Sequence, residues 1–269
     1  MQDLETNIIN AIAVVMKETS SQKLKKKNKK NKMLYLIGLG LSESSISVAA
    51  LEAIKSCDKV YLETYTVDFP YEIKNLESSI KTKIIPLERE KVENESVIKE
   101  AKKQNIALLV YGNPLSATTH IQLIIAAKKQ KVKYKIIHSE SILNAIAESG
   151  LQLYKFGKTA SMPKFSPNYA PDSFLDIILQ NEKIKAHTLL LTDIGLSSKE
   201  AIKQLEKVSE KRNVKFDKII ICSQLGKNSK IFYDNIKNLK TKNIPLPFCI
   251  IIPSELHFIE KEALELLSE

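Results

Sequence analysis

The apolar run IALLV (106–110) leads directly into YGNPLSATTH (111–120), and this junction decides the fold class. Five consecutive apolar residues predict a buried strand. The strand must end at the junction, because Pro114 has no N–H for a sheet ladder and Gly112 can adopt positive φ. Two threonine hydroxyls then suit the start of a helix. A buried strand that turns into a helix predicts a parallel α/β sheet, and such sheets bind small molecules at the carboxyl ends of their strands.

The same alternation of strand and helix extends on both sides of this junction, beginning at Met33. The predicted strands cover residues 34–39, 59–64, 82–87, 106–111 and 134–138, and the predicted helices cover residues 47–57, 93–104, 119–129 and 141–148. Such a βαβ series predicts a mainly parallel sheet.

The segment GLQLYKFG (150–157) breaks this rhythm with a glycine at each end, and we interpret it as the passage to a second unit. Predicted strands in that unit cover residues 187–192, 218–222 and 248–252, and predicted helices cover residues 172–179, 198–208, 232–239 and 255–267. The predicted fold class is therefore α/β, with two α/β domains, 33–153 and 154–269, and a ligand cleft between them.

Residues 1–32 carry eight lysines against three acidic residues, which accounts for half of the net charge of +10. The segment 23–32 holds seven of these lysines and predicts a disordered extension. The apolar stretch 8–16 is too short to span a bilayer, and no basic residue precedes it, so neither a membrane span nor a secretory signal is indicated.

This extension has three interpretations: a contact arm for RNA, ribosomes or a membrane, a solvated tail, or a stretch upstream of a start at Met33. We favour the last two, because Met33 directly opens the first predicted strand. The rest of the chain carries only +5. Nucleic acid is therefore not indicated as a partner beyond a weak contact by the extension.

Several classes of site are excluded by what the sequence lacks. Three cysteines lie far apart without a CxxC pair, which indicates a reducing, cytoplasmic setting. The four histidines lack the spacing of zinc ligands, so no metal site is predicted. There is no GxxxxGK[ST] loop for nucleotide phosphates and no GxSxG elbow for a nucleophilic serine. No carboxylate is placed beside His120 by the sequence, so we interpret it as a packing residue.

Loops with small or polar residues follow several of the predicted strands. Gly38 and Gly40 follow the first, but Glu43 occupies the place of the third glycine of a dinucleotide fingerprint, so we expect these glycines to admit the backbone close to an uncharged or weakly charged ligand group. The other loops are HSESI (138–142), TDIG (192–195) and CSQLG (222–226). A pocket formed by such loops suits a reaction in which a cosubstrate supplies reactivity and the protein supplies orientation.

Seven segments of the chain, in their order, resemble the diphthine synthase family, which is part of the tetrapyrrole (corrin/porphyrin) methylase superfamily. The resemblance extends from Met33 to the last residue, and ATTH (117–120) and YKFGK (154–158) make it specific to diphthine synthases. The seven segments are LYLIGLGL (34–41), SVAALEAIKSCDKVYLETYT (47–66), YGNPLSATTH (111–120), IIHSESILNAI (136–146), GLQLYKFGKTA (150–160), HTLLLTDI (187–194) and PFCIIIPSELH (247–257).

The resemblance implies two α/β domains with S-adenosylmethionine folded in the cleft between them. It implies methylation of the amino nitrogen of a modified histidine on translation elongation factor 2, a step of diphthamide biosynthesis, by a homodimer that needs no metal. Archaeal members add three methyl groups and eukaryotic members a fourth, on the carboxylate. Two alternatives stay open: a methyltransferase of the same fold that acts on a tetrapyrrole or another small molecule, and a non-catalytic binder of the elongation factor.

The resemblance also implies a set of cofactor-binding residues, without a catalytic group. Asn113 stands where the family has aspartate, and its amide oxygen still accepts hydrogen bonds but brings no charge. Phe248 stands where the family has histidine, and its ring is suited to an adenine face. The implied cofactor-binding residues are Leu41, Asn113, Ser116, Ser141, Ile142, Thr192, Leu225 and Phe248.

Overall fold

The computed structural model describes residues 32–269, and the predictions made for the preceding extension lie outside the described residues. The first half of this range forms a sheet of five parallel strands in the order β3-β2-β4-β1-β5. The strands are β1 Met33–Gly38, β2 Lys59–Glu63, β3 Ile85–Leu87, β4 Ile106–Val110 and β5 Lys133–Ile137. The helices are α1 Val48–Lys55, α2 Ile73–Ile80, α3 Arg89–Glu93, α4 Ser96–Ala101, α5 Ile121–Lys129 and α6 Ile142–Ala145.

The run IALLV forms the central strand β4, and all five of its residues are buried. Ile106 and Leu108 pack into the core on one face of the sheet, whereas Ala107 and Leu109 pack into the core on the other. A parallel strand covered on both faces requires a continuous apolar run, which is the pattern that the sequence shows. The predicted α/β fold class is confirmed, and the first sheet is parallel as expected.

The second half forms a mixed sheet in the order β6-β7-β10-β8-β9, in which β6 and β7 are parallel and the other neighbours are antiparallel. Its strands are β6 Ala160–Met162, β7 Thr188–Thr192, β8 Ile219–Ser223, β9 Lys230–Asp234 and β10 Phe248–Ile252. Its helices are α7 Ser173–Lys183, α8 Ser198–Lys211, α9 Ile236–Leu239 and α10 Phe258–Leu267, and two 3₁₀ turns, Ile146–Ser149 and Leu153–Lys155, lie between the sheets. No helix within residues 32–269 has the length and apolar character needed to cross a membrane.

The helix predicted over residues 232–239 is wrong in its first half. Phe232 lies in strand β9, where it pairs with Ile221 of β8, and the helix begins only at Ile236. The apolar residues that suggested a helix face are buried on a sheet instead. Asn235 separates the two elements, because its side-chain oxygen accepts the N–H of Asn238 and caps the helix.

A buried carboxylate ties the last helix to the segment between the sheets. The two oxygens of Glu260 accept the N–H groups of Gln152 and His257 at 3.0 and 2.8 Å, and the Lys155 ammonium lies 2.5 Å away. His187 lies 3.2 Å from the same carboxylate through Nε2. Its Nδ1 accepts the N–H of Ser254, so the imidazole is neutral and Nε2 carries the proton.

This cluster predicts acid sensitivity. Burial lowers the pKa of His187 below its ordinary 6.5, although the bond to Glu260 opposes the shift. Burial alone would raise the pKa of Glu260, but Lys155 and the two N–H groups hold it at about 2. In both cases the unfolded chain binds the extra proton, so the stability of the fold is lost as pH falls, first through 6.5 and then from 4.5 towards about 2.

In thermal unfolding, we expect the Tm to fall between pH 7.5 and pH 5.5. The free energy of unfolding should fall by up to about 1.4 kcal/mol per pH unit, because the unfolded chain takes up one proton at His187. His187→Gln keeps one acceptor and one donor but cannot titrate, so its Tm should vary less over this range. Equal pH dependence in the two proteins would contradict a titrating role for His187.

Candidate functional site

Two glycine loops meet at the carboxyl edge of the first sheet. Gly40 and Gly112 form an antiparallel bridge, with N–O distances of 3.2 and 2.9 Å, and both have positive φ. A Cβ on Gly38 would lie 2.6 Å from the carbonyl oxygen of Gly112. The sequence suggested that the first two glycines admit a ligand, but in the structure they admit the neighbouring loops. The result is a closely packed floor made by the loops after β1 and β4.

Asn113 joins this floor to the loop after β5. Its amide nitrogen donates to the carbonyl oxygen of Ser139 at 2.9 Å and lies 3.2 Å from Nδ1 of His138. Its amide oxygen accepts the N–H of Leu115 at 3.1 Å, which settles the orientation of the amide. Both ends of the side chain are therefore used within the protein. The amide nitrogen performs a task that the aspartate of the family could not, because a carboxylate has no donor.

The loop after β5 supplies two further predicted residues. Ser141 caps helix α6, since its hydroxyl accepts the N–H of Leu143 while the side chain of Asn144 accepts the N–H of Ser141. Ile142 is half-buried beside it. Glu140 lies between the loops, and its carboxylate accepts the N–H of Leu41 at 3.4 Å.

The second domain meets this edge through the loop after β8. A Cβ on Gly226 would lie 2.8 Å from Cβ of Leu41, so a residue with a side chain does not fit between the domains here. The N–H of Gly226 donates to Glu148 at 3.1 Å. Leu41, Leu225 and Ile142 belong to one apolar cluster that also contains the inner faces of β7, β8 and β10. The two sheets therefore share a core at the site.

Thr192 and Phe248 lie at the end of the second sheet that faces this junction. The hydroxyl of Thr192 donates to the carbonyl oxygen of Phe248 at 3.2 Å, and Phe248 pairs with Ser223 of β8. The ring of Phe248 packs away from the junction, in the core that contains Phe232 and residues of α7 and α8. At this end of the sheet, Phe248 therefore faces the junction with its main chain and not with its ring.

The eight residues predicted from the resemblance thus lie in loops and strand ends on the two sides of the domain junction, and we call this set the junction band. Ser116 completes the band, because its N–H donates to the carbonyl oxygen of Asn113 at 3.1 Å. Four members are half-buried, namely Asn113, Ser116, Ile142 and Thr192, and four are buried, namely Leu41, Ser141, Leu225 and Phe248. The side chains of this band include no cysteine, lysine or histidine, and residues 32–269 contain no cluster of three or more metal-ligating side chains.

Sequence reasoning missed a partner for His120. Glu63, at the end of β2, forms a buried pair with Nε2 of His120, while Nδ1 lies 3.2 Å from the carbonyl oxygen of Pro114. A carbonyl oxygen can only accept, so Nδ1 of His120 is the donor in its contact with Pro114. The pair holds the Pro114 loop from behind, which agrees with a packing role for His120. An acidic residue at the end of the buried run VYLE was the signal in the sequence.

The segment after β2 was also missed, and it bridges the domains. Its Asp68 accepts the N–H of Gly195 at 2.9 Å. Lys227 of the second domain makes a second bridge. Its ammonium lies 2.8 Å from the carboxylate of Glu43, in the loop after β1, and lowers the pKa of Glu43. The same ammonium lies 5.0 Å from the ring centroid of Tyr71. The hydroxyl of Tyr71 and the second oxygen of Glu43 are buried without a hydrogen-bond partner among the described residues. Orphaned polar atoms of this kind at a domain junction suit a polar ligand.

The tetrapyrrole (corrin/porphyrin) methylase family matches residues 33–240 of the chain. A diphthine synthase of Methanococcus maripaludis strain C6 is 38% identical over 256 residues, which cover 88% of this chain and 99% of the relative. A diphthine methyl ester synthase of Saccharomyces cerevisiae is 39% identical over 264 residues, which cover 86% and 88%. The crystal structure of a putative diphthine synthase from Entamoeba histolytica is similar with a TM-score of 0.80 at 34% identity, over 88% of this chain and 98% of that one.

Proposed function

The chain belongs to the tetrapyrrole methylases and, within them, to the diphthine synthases, the methyltransferases of diphthamide biosynthesis, and from this we propose that it methylates the amino group of the modified histidine of translation elongation factor 2. The methyl donor in this proposal is S-adenosylmethionine. The proposal includes a homodimer and a cytoplasmic location, where the elongation factor works.

The observation that carries the proposal is that the loops holding the junction band meet at the domain junction, where Leu41, Ile142 and Leu225 share one apolar cluster. These three residues provide a wall for the uncharged parts of a folded cofactor. The donor also carries positive charge, and the Glu140 carboxylate and the unpartnered oxygen of Glu43 belong to loops at the same junction. The residues present therefore fit a ligand that is partly apolar and partly cationic. The proposed cofactor-binding residues are Leu41, Asn113, Ser116, Ser141, Ile142, Thr192, Leu225 and Phe248.

When bound, S-adenosylmethionine supplies an electrophilic methyl group. The contribution of the protein is then to hold the acceptor amine in line with that group, and alignment of this kind accounts for much of the rate enhancement in bimolecular transfers. The close packing of the glycine loops and the hydrogen bonds of Asn113 make the floor rigid, which such alignment requires. We assign no catalytic residue, and the amine loses its proton to solvent water.

The test uses the full chain with S-adenosylmethionine and elongation factor 2 that carries the unmethylated intermediate. We expect calorimetric binding of the cofactor and, in mass spectrometry, a gain of one methyl mass per transfer on the modified histidine. Three gains would match what the resemblance implies for archaeal members of the family, and a fourth what it implies for eukaryotic members.

Two outcomes would contradict this function. Methylation of a precorrin but not of the elongation factor would favour a small-molecule methyltransferase of the same fold. Binding of the elongation factor without any transfer, and without cofactor binding at millimolar concentration, would favour a non-catalytic binder. Sedimentation of the purified chain tests the homodimer separately.

A further inference from the structure

Exposed lysines of the first domain are concentrated at one edge of its sheet. Because all five strands are parallel, every loop that enters a strand lies at the amino edge. Ten lysines occupy these entering loops and the adjoining helix ends, and all ten are exposed. We call this surface the lysine edge. Its residues are Lys32, Lys55, Lys81, Lys83, Lys102, Lys103, Lys128, Lys129, Lys131 and Lys133.

Acidic residues near the lysine edge offset only part of its charge. Glu100 pairs with Lys59 at 2.7 Å, whereas Asp58 and Glu77 accept the neutral N–H groups of Asn105 and Ile84 at 2.9 and 2.7 Å, which do not cancel a carboxylate charge. None of the ten lysines takes part in an ion pair among the described residues of the chain. The opposite edge is mixed, because beyond the other ends of β2 and β3 the exposed residues are Glu72, Glu88, Glu90 and Glu93 together with Lys74, Arg89 and Lys91.

Helix dipoles account for only part of this pattern. Lys55, Lys128 and Lys129 lie in the last turns of α1 and α5, where a positive charge stabilises a helix. Lys83, Lys103, Lys131 and Lys133, among others, lie beyond the last turns or at the start of a strand, where the dipole effect is weak. The ten lysines therefore carry more positive charge than the stabilisation of helix C-termini explains.

Strand β1 also starts at this edge, at Met33. In the sequence, the segment 23–32 that precedes it, called the tail below, contains seven lysines, of which Lys32 is one of the ten.

We propose that the lysine edge binds the phosphate backbone of duplex RNA. Five strands at about 4.8 Å spacing make an edge roughly 20 Å wide, and a duplex nucleic acid presents about one negative charge per 1.7 Å of its axis, so the number of phosphates along the edge is similar to the number of lysines. Lysine binds phosphate as a point charge without reading sequence. The choice of RNA over DNA rests on the proposed function, whose protein substrate works in translation.

The surface suits duplex RNA better than two other anionic partners. A membrane surface needs apolar or aromatic side chains that enter the headgroup region, and single-stranded nucleic acid needs aromatic platforms for stacking. Among the described residues, the entering loops with the ten lysines expose no large aromatic side chain, and Ile85 at the start of β3 is a single exposed apolar side chain beside them. The edge also lies opposite the domain junction, so bound RNA leaves the methylation site open.

The test measures binding of a fluorescent RNA duplex to the full chain by anisotropy at several salt concentrations. Changing Lys102, Lys128, Lys129 and Lys131 together to glutamine should weaken binding at least tenfold at low salt. It should also reduce the slope of log affinity against log salt by up to about 3.6, which is about 0.9 for each lost phosphate contact. Cofactor binding and methylation of free elongation factor should stay unchanged, which separates this proposal from the proposed function.

The matched control changes four exposed lysines of the second domain, Lys199, Lys203, Lys207 and Lys215, to glutamine, with the same change in net charge. We expect the control to retain most of the affinity and the slope. Equal losses in the two variants would overturn the proposal, as would an unchanged affinity of the edge variant, which would assign binding to the tail alone. Tighter binding to duplex DNA of the same sequence, or to anionic phosphatidylserine vesicles, would also overturn it.

Discussion

Gly38→Ala is expected to lower cofactor affinity and the rate of methyl transfer by about 100-fold, because a displacement of about 1 Å at a reacting site costs this much. The added Cβ would lie 2.6 Å from the carbonyl oxygen of Gly112, 2.9 Å from Cδ of Pro114 and 3.0 Å from Cβ of Ser139. The first two are a main-chain atom and a ring atom, which cannot rotate away. The loops after β1, β4 and β5 must therefore separate, and the floor of the proposed site moves with them. Calorimetric titration and a turnover assay measure the two effects.

Gly195→Ala separates this effect from a general loss of stability. Gly195 has a φ of +67°, and a Cβ there would meet no atom within 4 Å, so alanine adds about 1–2 kcal/mol of left-handed backbone strain without moving a neighbour. We expect a lower Tm but cofactor affinity within a few-fold of the natural chain. Normal cofactor binding by Gly38→Ala would show that the strand-end loops are not the floor of the site.

Asn113→Asp is expected to weaken cofactor binding about tenfold, although it restores the residue of the family. The amide nitrogen donates to the Ser139 carbonyl, and a carboxylate would place a negative oxygen against that carbonyl at a similar distance. Loss of a buried hydrogen bond with its acceptor left unsatisfied costs about 1–3 kcal/mol, and 1.4 kcal/mol is a factor of ten in affinity. The same titration measures the effect.

Asn235→Asp is the matched control, because the oxygen of Asn235 caps α9 by accepting the N–H of Asn238. A carboxylate performs this task equally well, so neither stability nor cofactor affinity should change appreciably. An increase in affinity or activity for Asn113→Asp would instead indicate that the residue contacts the cofactor directly through a side-chain oxygen.

The first sheet was predictable from the sequence because its strands are covered on both faces. The run IALLV has no polar position to confuse the assignment, and the break at Gly112 and Pro114 follows from the chemistry of those two residues. The second sheet was less predictable. In KIFYD the residues Ile231 and Phe232 are buried next to one another, and only the antiparallel pairing with β8 decides that the segment is a strand.

Within the site, the contacts between paired polar side chains could not be predicted from the sequence. His120 and Glu63 are separated by nearly half of the first domain in sequence, and parallel pairing of β2 with β4 brings them together. The same holds for Lys227 and Glu43, which belong to different domains. The spacing of such residues in the sequence does not predict their contact, because the order of the strands in the sheets decides which residues lie close together.

The sequence by itself determined the α/β class and the strand-end loops, because apolar runs, prolines and glycines act locally. The eight proposed cofactor-binding residues came from the resemblance to the family and stay a prediction. Only the tertiary structure decided that Asn113 serves the Ser139 carbonyl, that the ring of Phe248 faces away from the junction, and that ten lysines share one edge. The physical reason is that hydrogen-bond partners, sheet faces and electrostatic surfaces arise from residues far apart in the chain. Their positions are set by the order and direction of the strands.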